Sequence, residues 1–123
     1  MNTTKGLPIG SAAKETGLSE DTLRYYERIG LLPKVERESS GHRRYNGNDV
    51  EWLRFITRMR EAGMSIELLQ RYATLLAEGE STWAERRQIL TEHRAVVHEK
   101  IAQLQGSLDV IDWKLGRMDD TKC

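Results

Sequence analysis

Trp83, Leu90, Val97, Leu104, Ile111 and Met118 follow one another at intervals of seven residues without a break. Ile101, Leu108 and Leu115 each stand four residues after a member of that series. An apolar pair repeated in this way is the seam of a coiled coil, because a slightly underwound helix returns to one face every seven residues. The seam predicts a helix over residues 80–119, opened by a capping signal at Thr82–Glu85 and about 50 Å long at the rise of an α-helix. Water does not tolerate so long an apolar stripe, and the rest of the chain is too small to cover it. A second copy must do so, which makes these nine residues the expected interface of a homodimer. Arg87 and Arg94 interrupt the seam near its start. Parallel pairing would set each arginine against its own copy. Antiparallel pairing sets them near the Leu108–Leu115 end, among Asp109, Asp112 and Asp119, and is favoured on that electrostatic ground.

The 123 residues carry no net charge, which argues at first against a polyanionic partner. The halves differ: residues 1–60 hold eleven Lys and Arg against eight Asp and Glu, and residues 61–123 the reverse. Such segregation lets one face be basic and the remainder acidic. A mean hydropathy of −0.62 leaves room only for a small core. The single cysteine, Cys123, excludes an internal disulfide and a cysteine-cluster zinc site. His93 and His98 are five apart, a spacing that does not share a metal easily on a helix, so no metal or cofactor is expected. Neither a signal peptide nor an apolar run of membrane length is evident, and the expectation is a cytoplasmic protein.

The segment Thr22–Pro33 places Arg24, Arg28, Tyr25 and Tyr26 on one short helix, stopped by Gly30 and Pro33. Ser19, with Glu20 and Asp21 after it, supplies the hydroxyl and carboxylates that a helix N-terminus requires. A shorter helical pattern, Ile9–Thr16, precedes it across Gly17. Helix, glycine turn and basic–aromatic helix read as a helix-turn-helix suited to a phosphate-lined groove. Next, Val35–Arg37 and Arg43–Tyr45 flank a Ser-Ser-Gly turn and predict a basic hairpin, a wing leaning on the helices. Asn48–Glu51 resembles a capping box for a helix running to about Ala62. Ser65 opens a further helix that ends at Gly79. The expected fold class is therefore mainly α: a winged helix-turn-helix head with a second helix pair (1–79), the coiled-coil helix (80–119) and a flexible tail (120–123).

In this order and spacing the chain resembles the MerR family of transcriptional regulators. The resemblance lies in Ile9–Leu18, Thr22–Leu32, Gly41-His-Arg-Arg-Tyr45 and Phe55–Ile66. Tyr72–Ser81 and Arg86–Arg94 are most similar to the aldehyde- and nitrosative-stress-responsive branch. The resemblance implies a homodimer on an inverted-repeat operator in promoter DNA. Members untwist and bend that DNA so that RNA polymerase engages both promoter elements, a deformation costing about 1–6 kcal/mol. It implies backbone contacts from Arg24 and Tyr26, with Tyr25 in the same cluster, and base reading from Thr22 in the first turn. The competing reading is that one tyrosine packs in the small core, since neighbouring residues lie about 100° apart on a helix and cannot both face the same way. Arg37, His42 and Arg43 match contact positions in the wing. Arg44 is either a further contact or the partner of Glu36 or Glu38, and Tyr45 anchors the hairpin in the core. Arg60 matches a backbone-contacting position, whereas Arg54 and Arg58 are expected in solvent. Asp21 departs from the pattern, since a carboxylate repels phosphate; serving the helix start is its simplest role.

The branch bears a reactive cysteine in its third helix, and the matching residue here is Arg58. Thiol sensing at that position is therefore not expected, and Cys123 lacks the electropositive setting that lowers a thiol pKa. A small-molecule effector is unidentified. The alternative to an effector-controlled regulator is a coiled-coil adaptor or an architectural DNA-binding protein without an effector. No nucleophile–base arrangement or phosphate-cradling loop supports an enzyme.

Overall fold

A computed structural model describes residues 6–32 and 35–121. The chain divides after Trp83 into two compact units. In the first, helix α1 (Ile9–Thr16) ends at Gly17, whose φ of +75° is the left-handed turn that directs the chain toward the next helix. Helix α2 (Glu20–Arg28) begins at Ser19, whose hydroxyl accepts from the Thr22 N–H at 3.0 Å. Strands β1 (Glu36–Arg37) and β2 (Arg43–Arg44) pair antiparallel, Glu36 opposite Arg44 and Arg37 opposite Arg43. The turn closes with Glu38 N–H donating to His42 O and Gly41 N–H to Glu38 O, both at 2.8 Å.

The ladder is shorter than the sequence predicts, because Val35 and Tyr45 leave it for the core, at 3% and 0% exposure. Tyr45 pairs instead with Leu7, through reciprocal backbone bonds of 2.7 and 2.8 Å. A glycine precedes Leu7 for a reason: a Cβ on Gly6 would lie 2.5 Å from the Tyr45 carbonyl oxygen.

Helix α3 (Gly47–Glu61) starts at Asn46, two residues before the expected cap. The Asn46 side chain accepts from Asp49 N–H at 2.8 Å, and Asp49 accepts from Asn46 N–H at 3.0 Å. Asp49 is three residues from Asn46, the spacing that lets both bonds close together. Helix α4 (Ile66–Glu78) is capped by Ser65 and stops at Gly79, as its periodicity predicts. A single 3₁₀ turn (Glu80–Thr82) follows, fixed by the Thr82 hydroxyl donating to Leu75 O at 2.6 Å and to Gly79 O at 2.8 Å.

Leu23, Leu31, Tyr45, Leu53, Ile56 and Leu69 are fully buried and join both helix pairs and the wing in one core. Each such aliphatic side chain contributes about 1.5–3 kcal/mol by leaving water. Two polar bonds fasten the segment after α2 to that core. Trp52 Nε1 donates to Leu31 O at 2.8 Å, and Gln70 Nε2 donates to Ile29 O at 2.9 Å. Trp52 in turn stacks on Phe55 and Tyr72, with ring centres 5.3 and 5.9 Å away.

Helix α5 (Trp83–Asp120), 38 residues without interruption, supplies the second unit from Ala84 onward. Its seam faces open space in the single chain: Leu104 is 70% exposed, and Ile101, Leu108, Ile111, Leu115 and Met118 about half. No helix among the described residues is long and apolar enough to cross a membrane. Cys123 lies outside the described residues.

Candidate nucleic-acid interface

Helix α2 divides its side chains by the 100° step. Leu23 and Tyr26, three residues apart, turn into the core, while Arg24 and Tyr25 face outward and Thr22 is half-buried in the first turn. This reverses the order expected of the two tyrosines. Tyr26 is 7% exposed, and burial pushes its phenol above the ordinary value against the opposing charge of Arg60. Tyr25 is the exposed ring of the two, at 41%, with the Arg28 guanidinium 5.3 Å from its centre. The core claims Tyr26 because it lies one turn beyond Leu23, the most deeply buried residue of the helix.

Arg24 is held ready rather than free. Its guanidinium bridges Glu20 at 3.3 Å and Asp21 at 3.2 Å, both on the first turn of its own helix. Exposed pairs of this kind are worth only about 0–1 kcal/mol, so an incoming phosphate can displace them. Asp21 thus serves the helix start and steadies Arg24.

The wing arginines divide likewise. Arg37 Nη1 donates to Gly41 O at 3.0 Å and stays exposed at the turn, beside His42, whose Nδ1 is 2.8 Å from the Ser40 hydroxyl. Arg43, expected as a contact, points inward: its Nε donates to Glu27 Oε1 at 2.6 Å, with the two side chains 25% and 13% exposed. Glu27 Oε2 accepts from the Val35 N–H at 3.4 Å as well. Arg43 is therefore a strut that joins the wing to α2. Arg44 pairs with Glu38, one of the two acids expected, and together with Ser40 holds that carboxyl below its usual range. Tyr45 is in the core as expected, and its buried hydroxyl has no hydrogen-bond partner among the described residues.

Farther along, Arg60 donates to Met64 O at 2.8 Å, closing the end of α3. Arg54 is not simply solvated but reaches Glu15 at 2.8 Å, tying α3 to α1. Arg58 is exposed and 3.4 Å from Glu61.

Arg24, His42, Arg43 and Arg44 line one concavity of about 300 Å³ together with Glu38, the partner of Arg44. A cleft of that size with this much cationic lining suits an oxyanion of a polynucleotide backbone. Thr22, Tyr25, Arg37 and Arg60 are not part of its lining. Glu27 is the functional residue that sequence reasoning misses: sixteen residues separate it from Arg43, and no local periodicity links them. Among the described residues, no three His, Cys, Asp or Glu side chains gather where they could hold a metal ion.

The same elements recur in known proteins. The family described as "MerR HTH family regulatory protein" matches residues 7–76, and "MerR, DNA binding" matches residues 50–113. The HTH-type transcriptional regulator AdhR of Bacillus subtilis is 50% identical over 86 residues, covering 70% of this chain and 61% of AdhR. The chain thus spans about three fifths of that relative's length. A crystallised chain from Listeria monocytogenes, ascribed to the MerR family of transcriptional regulators, superposes with a TM-score of 0.86 at 41% identity, over 94% of this chain and 87% of that one. HiNmlR, a MerR family regulator lacking the sensor domain and crystallised on promoter DNA, superposes with a TM-score of 0.85 at 33% identity, over 94% and 91%. By its winged head, its long terminal helix and these relationships, the chain belongs to the MerR family of helix-turn-helix regulatory proteins.

Proposed function

We propose that this chain is a cytoplasmic, non-catalytic transcriptional regulator that binds an inverted-repeat operator as an antiparallel homodimer and untwists and bends the DNA for RNA polymerase. The observation that carries the reading is the concavity in which Arg24 of α2 meets His42, Arg43 and Arg44 of the wing. Thr22 and Tyr25 extend it along α2, Arg37 along the wing turn, and Arg60 beyond the end of α3. The promoter DNA bound by HiNmlR supports the choice of partner. The exposed seam of α5 supports the dimer, because two heads at fixed spacing match two half-sites. Residues 1–79 are the DNA-binding head in this reading and 80–119 the dimerisation helix. With Arg58 in the place of the branch's cysteine, any effector acts by chemistry other than a thiol at that site.

The test is fluorescence anisotropy over a salt series, on duplexes selected from a random pool by the chain itself. Binding strengthens as salt falls, and the selected sites are inverted repeats. Arg24→Ala weakens all duplexes alike and lowers the salt slope by about 1. An unchanged slope and affinity for Arg24→Ala would overturn the assigned contacts, and no binding even at low salt would leave the adaptor role.

A further inference from the structure

Asp21, Arg24, Tyr25 and Arg28 make one exposed stripe along α2, spaced by three and four residues. Three of them suit a phosphate backbone and Asp21 repels it. Its side chain is 96% exposed, against 43% for Arg24. The cap of the helix does not need this carboxylate, because the Ser19 hydroxyl accepts from the Thr22 N–H at 3.0 Å. Glu20, the other acid of the first turn, lies against α1, with a carboxylate oxygen 3.5 Å from where a Cβ on Gly10 would stand. Among the described residues the polar partner of Asp21 is Arg24 alone, at 3.2 Å. So exposed a pair is weak and exchangeable, and Arg24 is the member that a phosphate claims.

We infer that Asp21 reads a base: its carboxylate accepts from the N4 amine of a cytosine in the major groove, once in each half-site. The inference rests on the operator binding proposed above and names a base that the operator must present. In a helix-turn-helix the start of the second helix faces the base edges, and Asp21 stands in that first turn. A carboxylate offers acceptors only. Guanine turns two acceptors, O6 and N7, into the groove, and thymine an acceptor and a methyl group, so both oppose it. Adenine sets the acceptor N7 beside its amine. Cytosine alone presents a donor with no acceptor of its own, which makes it the match. The carboxylate that steadies Arg24 in the free protein thus changes partner when Arg24 does. Where the amine is missing, freeing Arg24 leaves the carboxylate facing acceptors, so backbone contact and base reading strengthen together.

The test selects duplexes from a random pool with the unaltered full chain, with Asp21→Asn and with Asp21→Ala, and measures the selected sites by fluorescence anisotropy. The unaltered chain returns inverted repeats with cytosine at one fixed position of each half-site, and guanine there weakens binding about tenfold. Asp21→Asn moves the preference at that position to adenine, whose N6 and N7 an amide matches together. Asp21→Ala accepts all four bases there and keeps the preferences elsewhere. If both variants leave the preferred base unchanged, whether binding tightens, weakens or is lost, Asp21 acts only as a charge near the backbone; the inference is overturned and operator binding stands. A position sensitive to Asp21 at which the unaltered chain prefers a base other than cytosine overturns it equally. An unaltered chain that selects no inverted repeat overturns the operator reading, and this inference with it.

Discussion

Glu27 does for the head what no nearby residue can: with one carboxylate it accepts from the Arg43 guanidinium and from the Val35 backbone, holding the wing to α2. Both side chains of the pair are largely covered, so removing the acid leaves a partly buried cation without its acceptor. Glu27→Ala is expected to cost about 1–3 kcal/mol of stability, the range of hydrogen bonds to charged groups, read as a lowered midpoint in urea. It should also weaken operator binding beyond that loss, because Arg43 then swings free of its strut and the wing loses its fixed angle. Residue by residue, the sequence marks this site unevenly. Ser19, Ser65 and the two tyrosines side by side are legible because caps and the helical step act locally. Which tyrosine faces outward depends on how α2 sits against α1 and the core, and Arg43's partner depends on the hairpin's fold-back; neither is written within one turn of the residue concerned.

At the scale of the element, α3 shows the same boundary. Its stripe of Val50, Leu53 and Ile56 is plain in the sequence and buried in the structure. Its start is displaced to Asn46, because two capping boxes overlap in the sequence, Asn46–Asp49 and Asn48–Glu51, and the structure closes the first of them, with Asp49 as its acid. That acid sits in a costly place: burial raises the Asp49 carboxyl above its ordinary value, the Asn46 N–H opposing and Glu36 adding to the rise. A raised folded pKa means that the native state holds its proton more tightly than the unfolded chain. Asp49's contribution is fully present below its unfolded pKa and is lost as pH climbs through the folded value. Asp49→Asn keeps an acceptor for the Asn46 N–H and removes the ionisation. Thermal melts of the variant and the parent should therefore diverge as pH rises above the ordinary carboxylate range, the variant gaining relative stability.

For the whole molecule, the decisive element is α5, and it was the most legible part, since a seven-residue repeat needs no tertiary context to be recognised. Its 3₁₀ entry is less so, as it depends on the Thr82 hydroxyl reaching back to Leu75. In the proposed antiparallel pairing, setting Arg87 opposite Leu115 and Arg94 opposite Leu108 brings Ile101, 57% exposed in the single chain, to the centre against its own counterpart. Ile101→Asp sets two carboxylates face to face in the seam. The expected outcome is a monomer by light scattering with the helical circular dichroism of the head preserved. Its affinity for an inverted repeat should fall to that of a single half-site, and a dimer that persists would refute the central position of Ile101.

The open seam has one more consequence, for dosage. A head that becomes a full reader only in pairs responds to the square of the free chain's concentration until pairing saturates. Under the proposed pairing, a cell that halves its supply of this chain below that point would cut occupancy of the proposed operator about fourfold, a steepness that rests on the bare face of α5.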